Sequence, residues 1–374
     1  MIGQRHVVTE VLLILSGVAG FYQAAFYWIV NRRFAFYHQS TGSGTLQPVS
    51  VIICAKNEVN HLRAYLPAIL DQDYPDFEVI VVNDCSWDES GEYLEEMEKK
   101  HTRLRIVDIQ EQEKYRHGKK FALTLGIKAS RHEWLLMTDA DCEPASRTWI
   151  RKMQESFSRN PEIVLGYGPY RATNGFLNKM IRFDAFQIAM QYFGCAIEGN
   201  AYMGVGRNLA YKKSLFFRNK GFAKHNHLFS GDDDLFVNEC ATNSNTLIET
   251  HPESFTYSDA KTSFKEWFRQ KRRHFSTGKY YKSGHRLMLF MAGFTSPVFY
   301  LCLVALLVLR YDWRIIVSLY GGLLLLKLPI LWLSAAKLRE KDLVWRFPIL
   351  DLSLSFIQPL FFISNLFTKQ KAWK

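Results

Sequence analysis

The sequence has no Cys-x-x-Cys pair among its six cysteines, no Gly-x-Gly-x-x-Gly after its first strand-like run and no Walker-type lysine loop. Each absence removes a class. The missing cysteine pair excludes the common paired-cysteine metal and redox motifs. Cys54, Cys85, Cys142, Cys195, Cys240 and Cys302 fall largely in apolar or strand-like runs. They read as reduced, buried thiols in a cytosol-facing domain. The missing glycine fingerprint argues against a dinucleotide fold, and the missing lysine loop against a P-loop enzyme. No repeat or low-complexity tract interrupts the chain.

What is present is apolar residue in quantity, unevenly spread: 48% of the chain is hydrophobic, yet its mean hydropathy is only −0.12. Both ends are hydrophobic and the middle is mixed. A length of 374 residues leaves room for two domains, and a net charge of +11 points to an anionic partner, phosphate-bearing ligand or membrane surface. Val7 to Val30 is long enough to span a bilayer, which needs about 20 residues. Arg32 and Arg33 behind it favour a cytoplasmic C-terminal end, so residues 1–33 are expected to be a transmembrane anchor. A cleaved leader with Arg5 as its basic start is the competing reading. Ser40 to Pro48 is rich in Gly, Ser and Thr, and 34–47 is expected to be a linker.

Val49 to Ala55 is near-continuously apolar, the pattern of a buried parallel strand. An amphipathic helix follows to about Leu70. Phe77–Asp84 reads as a second strand, Ser90–Lys100 as a helix, Leu104–Asp108 as a third strand, Lys119–Ser130 as a helix and Glu133–Met137 as a fourth strand. This alternation implies a doubly wound α/β sheet, whose ligands bind at the carboxyl ends of the strands. Glu58, Asp84, Asp139 and Asp141 all fall at that edge. Asp139 and Asp141, two apart, share a face if the chain stays extended there. Carboxylates so close repel unless a cation lies between them, and a hard Mg²⁺ or Mn²⁺ is the natural one. A polar turn closing a strand is the bland alternative for a lone Asp-x-Asp.

Four segments, in order, resemble the membrane-bound family 2 glycosyltransferases over roughly residues 48–280. Pro48 to Glu58 looks like the family's opening strand, whose end contacts the nucleotide, which implicates Ala55, Asn57 and Glu58. Val81-Val82-Asn83-Asp84 is similar to the segment whose Asp grips the base. Gly118-Lys119-Lys120-Phe121-Ala122-Leu123 resembles a loop near the phosphates, and Thr138-Asp139-Ala140-Asp141 the metal-binding Asp-x-Asp. Gly204 to Tyr211 is similar to a Gly-rich strand near the acceptor, implicating Gly206 and Asn208. Within Ser230-Gly231-Asp232-Asp233-Asp234 the resemblance implies a general base, Asp233 first and Asp232 second, with Asp234 towards the acceptor. Gln270-Lys271-Arg272-Arg273-His274 matches the Gln-x-x-Arg-Trp motif of polysaccharide synthases, except that His274 stands where Trp is usual. Gln270 and Arg273 would face the diphosphate. An imidazole offers less stacking area than an indole and can carry charge near neutral pH.

The resemblance implies a GT-A-like (Rossmann-type) nucleotide-sugar domain over 48–259, halved at 170/171 into nucleotide-sugar and acceptor portions. It further implies an inverting, Mn²⁺- or Mg²⁺-dependent enzyme taking a nucleotide-diphosphate sugar to a lipid-linked or glycan acceptor at the cytoplasmic membrane face. Residues 260–286, basic and aromatic, read as an amphipathic interface helix on an anionic membrane. A nucleic-acid patch is the rival, disfavoured by the adjoining span, so no nucleic-acid partner is expected. Residues 287–374 read as a C-terminal membrane region. Leu287–Leu309 and Ile315–Ala336 read as spans. Val344–Phe367, broken by Arg346, Asp351 and two prolines, is expected to be a re-entrant or interfacial hairpin, with a basic tail at Lys369–Lys374. A processive polysaccharide synthase and a catalytically inactive nucleotide-binding scaffold remain the alternatives.

Overall fold

The computed structural model describes residues 2–39, 45–110, 118–157, 160–228 and 230–367. Part of the expected 34–47 linker and the basic tail lie outside the described residues. In chain order the elements are α1 (Ile2–Phe26), a π-turn (Tyr27–Asn31), α2 (Arg32–Ala35), β1 (Val49–Ala55), α3 (Val59–Leu70), β2 (Phe77–Asp84), α4 (Ser90–Lys100), β3 (Leu104–Ile109), α5 (Lys119–Ala129), β4 (Trp134–Asp139), β5 (Cys142–Pro144) and α6 (Trp149–Glu155). There follow β6 (Ile163–Leu165), α7 (Phe176–Ile197), β7 (Leu209–Lys212), α8 (Lys213–Arg218), α9 (Asp234–Cys240), β8 (Thr246–Ile248), β9 (Thr256–Ser258) and α10 (Phe264–Phe275). The chain closes on α11 (Ser283–Val308), α12 (Trp313–Lys337), α13 (Lys341–Val344) and α14 (Phe347–Phe367).

The seven-stranded sheet runs β3-β2-β1-β4-β7-β6-β8. Its first four strands are parallel; β7 pairs antiparallel with both β4 and β6. β1 and β2 are buried at every residue, which is why they lack alternation: helices cover both faces. Beside this mixed α/β sheet, β5 and β9 form a small antiparallel pair.

Residue 34 does not begin a linker. Phe34 is fully buried with its ring 5.1 Å from Phe193 of α7, because α1 continues through the π-turn and α2 into the packed core beside α7. The close approach needs Gly194, where a Cβ would stand 2.4 Å from the Val30 carbonyl oxygen.

Among the described residues four helices are long and apolar enough to cross a membrane, the fourth at Phe347–Asn365. The expected hairpin over 344–367 is therefore wrong: α14 is one continuous helix. Asp351, read as a break, has its charge met, 3.3 Å from Lys327 Nζ and accepting from Tyr300 OH at 2.8 Å. A paired intramembrane charge is tolerable where an isolated one is not. Nor is 260–286 one helix; α10 ends at Phe275 and α11 starts at Ser283. α10 does not lie free on a surface either. Trp267, Phe268 and Phe275 pack round Phe361 of α14, and Lys271 pairs with buried Asp184 of α7 at 2.6 Å.

Candidate active site

The parallel strands deliver their carboxyl ends to one edge. There the chain leaves β4 at Asp139, turns at Ala140-Asp141 and re-enters β5. The two carboxylates meet through this turn rather than through strand alternation. Ligand atoms of Asp139, Asp141 and Cys142 lie within 4.8 Å of one another. Burial, then Asp141 and Asp139, raise the Cys142 thiol pKa well above its usual value, and a thiol is a soft donor that hard divalent ions pass over for carboxylate oxygens. The usable donors are hard carboxylate oxygens, and the set fits Mg²⁺ or Mn²⁺.

Lys119, at the start of α5, reaches into this edge. Its Nζ lies 2.8 Å from Asp139 Oδ1 and 3.0 Å from Asp232 Oδ2. Burial opposes its charge, but Asp139, Asp232 and Asp233 outweigh that and raise its pKa. Lys120, expected beside it, turns away. Its Nζ donates to the carbonyls of His225 and Leu228, holding the 225–228 loop.

The acidic knot divides its labour. Asp233 caps α9, accepting from Asp234 N at 2.8 Å through Oδ1 and from Gly206 N at 2.7 Å through Oδ2. Gly206 thus orients a carboxylate, and a Cβ there would stand 3.3 Å from Asp233 Oδ2 and 3.4 Å from Lys119 Nζ. Burial pushes the Asp233 pKa up to about 7, helped by Asp232 and Asp234 and opposed by Lys119. Asp232 goes the other way: burial alone would raise it, but Lys119 holds it below the ordinary range. Asp234 is buried and bonded within the fold. Its Oδ2 accepts from Thr277 Oγ1 at 2.5 Å and Tyr281 OH at 2.7 Å, tying α9 to the α10–α11 connection.

Asn208, expected at the acceptor, is also committed internally. Its Nδ2 donates to the carbonyls of Tyr167 and Ser254, and its Oδ1 accepts from Trp149 Nε1. Asn208 is fully buried, so its role is to lock the strand. Its neighbour Arg207 was missed. Arg207 lies over the Tyr170 ring at 4.2 Å, donates to Ser258 Oγ at 2.6 Å and stands close enough to Asp139 and Asp141 for their charges to act on it. Gln270 Nε2 donates to Tyr170 OH at 3.3 Å, which brings α10 to the same place. An arginine between two residues of a Gly-rich strand beside an acidic edge was the available signal.

His274 is exposed on α10, and the protein around it, then Arg273, Lys271, Arg207 and Lys119, lower its pKa from the usual imidazole value. On the other flank, Ala55 and Asp84 are buried at the ends of β1 and β2. Asn57, with φ 54, accepts from Trp87 N through Oδ1, knitting the two strand ends together. Glu58 pairs with His61 at 2.5 Å on the half-open rim.

A mixed sheet with an acidic edge after its fourth strand, facing a buried carboxylate, is the arrangement of a GT-A-type domain. Residues 50–219, a little under half of the chain, match the model described as Glycosyl transferase family 2, so the chain carries a glycosyltransferase domain of that family beside helices long and apolar enough to cross a membrane. It is 26% identical over 202 residues to a poly-β-1,6-N-acetyl-D-glucosamine synthase of Staphylococcus epidermidis, covering 51% of this chain and 47% of the relative. It is 29% identical over 144 residues to an uncharacterized glycosyltransferase of Haemophilus influenzae, covering 38% and 41%. The chain thus spans about half or less of the length of these curated relatives. A mannosyltransferase of Pyrobaculum calidifontis, solved with GDP-Man and Mn²⁺, shares the fold over 97% of this chain and 100% of its own at a TM-score of 0.62 and 18% identity.

Proposed function

We propose that the protein transfers a sugar from a nucleotide-diphosphate sugar to a hydroxyl of a lipid-linked or glycan acceptor, with inversion at the anomeric carbon, at the cytoplasmic face of a membrane. One observation carries this: the Lys119 ammonium touches both Asp139 of the candidate metal pair and Asp232 beside the candidate base, so both halves of a displacement share one cleft. Asp233 accepts the acceptor proton as the hydroxyl oxygen attacks the anomeric carbon. The bond to the diphosphate breaks on the opposite face, and no covalent intermediate is needed. A divalent ion on Asp139 and Asp141 would supply positive charge to the departing diphosphate. Lys119 and Arg273 add theirs, while the buried Asp84 and the Asn57 backbone bend shape the base end. Arg182 of α7 binds Glu340 and Asp342 between α12 and α14, which puts that Lys- and Arg-bearing loop on the catalytic side. Its basic residues favour the cytoplasm.

The test is a screen of nucleotide sugars with the purified full chain and Mn²⁺ or Mg²⁺, sizing the labelled product made in membranes. A short, organic-extractable product is expected. Bound nucleotide without turnover of any donor would refute the enzyme and leave the scaffold. High-mass polysaccharide from the single chain would establish the processive synthase, the reading that the Staphylococcus relative favours.

A further inference from the structure

The Lys119 contact has the wrong partner for a metal site that is always ready. An ammonium 2.8 Å from Asp139 Oδ1 competes with any ion between Asp139 and Asp141 for the charge of that carboxylate. Lys119 does not depend on that contact. Its second bond, to Asp232 at 3.0 Å, keeps the charge compensated when it lets Asp139 go. Its side chain is about one-fifth exposed, and Gly206 places no side chain against it. Movement therefore costs little packing.

We infer that Lys119 is a displaceable counter-ion that closes the metal site of the free protein and is drawn off Asp139 by the donor diphosphate. This positioning role rests on the reading of Asp139 and Asp141 as metal ligands. The diphosphate offers Lys119 a better anion and adds oxygen ligands for the ion, so the two ligands enter together. When the nucleoside diphosphate leaves, Lys119 returns to Asp139 and weakens the hold on the ion. Metal and nucleotide binding are thereby coupled, each strengthening the other by the same factor.

The experiment titrates Mn²⁺ into the purified full chain in detergent and follows free Mn²⁺ by electron paramagnetic resonance, alone and with GDP or UDP. Lys119→Met should bind Mn²⁺ alone about tenfold more tightly than the unmodified protein, within the usual range of such couplings. It should also lose much of the gain that nucleotide brings. Asp232→Asn should act oppositely, weakening Mn²⁺ binding in the absence of nucleotide, because Lys119 then leans wholly on Asp139. A misfolded variant cannot produce the tighter binding. Unchanged or weaker Mn²⁺ binding by Lys119→Met, with Mn²⁺ still bound when nucleotide is present, overturns the counter-ion role and leaves the metal site standing. No Mn²⁺ binding by any variant, with or without nucleotide, overturns both.

Discussion

If Asp233 is the base, the rate carries its titration. Burial and the two flanking aspartates lift its pKa from the ordinary carboxylate range to about 7. Only the ionised form accepts a proton, so kcat should rise with pH through that value. For one group of pKa 7, about a tenth is ionised at pH 6 and about nine-tenths at pH 8, roughly a tenfold gain in rate. Asp232→Asn sharpens the test. It removes a like charge that raises Asp233 while leaving the Lys119 cation, which lowers it, in the cleft, so the acid limb moves to lower pH. A shift of about one unit corresponds to about 1.4 kcal/mol of altered interaction. The assay is single-turnover transfer at saturating donor and metal across pH 5 to 9. An acid limb near 4 in the unmodified enzyme, or one that stays put in Asp232→Asn, would refute the assignment. Asp233→Asn must in addition abolish the limb together with the activity.

Chelation with EDTA should stop transfer, and Asp141→Ala should cost about 100-fold or more in kcat, since the departing diphosphate loses its counter-charge; full activity in excess chelator would sink the metal role. Asn208→Ala should lower stability by about 3 kcal/mol, leaving the Tyr167 and Ser254 carbonyls and the Trp149 indole NH without their partner. Thermal denaturation in detergent reads this, and a changed acceptor KM with unchanged stability would contradict the internal role. Lys327→Met or Asp351→Leu alone should each cost about 3–5 kcal/mol by stranding a buried charge, whereas the double variant should lose less than either. Additive losses would show that the pair is not coupled.

The parallel half of the sheet was legible because burial on both faces writes strands as continuous apolar runs. Val49–Ala55 and Phe77–Asp84 were read with the observed limits. Ser90–Lys100 was equally plain, with Lys99 and Lys100 at its end. What escaped depends on partners far along the chain. Asp351 looks like a flaw in a span until Lys327 and Tyr300 are placed beside it. Arg207 gains its place only from Tyr170 and from Ser258, which lies 51 positions on. Asp234 and Asn208 sit within the recognised motifs, yet their side chains serve the fold. A motif marks a segment and cannot say which of its polar atoms faces the cleft.

The two sides of the cleft are built from different material, and that bears on where the acceptor comes from. The Asp84, Asp139 and Asp141 side stands on the parallel strands. Gln270 and His274 stand on α10, which Phe361 of α14 and Asp184 of α7 hold in place. α7 is itself gripped by the membrane elements, through Gly194 against Val30 and through Arg182 against Glu340 and Asp342. Tyr167 closes the circuit, since its carbonyl accepts from Asn208 next to Arg207 and its hydroxyl donates to Glu340. One side is thus positioned by the sheet and the facing side by helices that pack on those long and apolar enough to cross a membrane. Under the proposed function, an acceptor presented at a membrane surface would meet Gln270, His274 and Arg207 in a register set by the same helices that would set the depth of the protein.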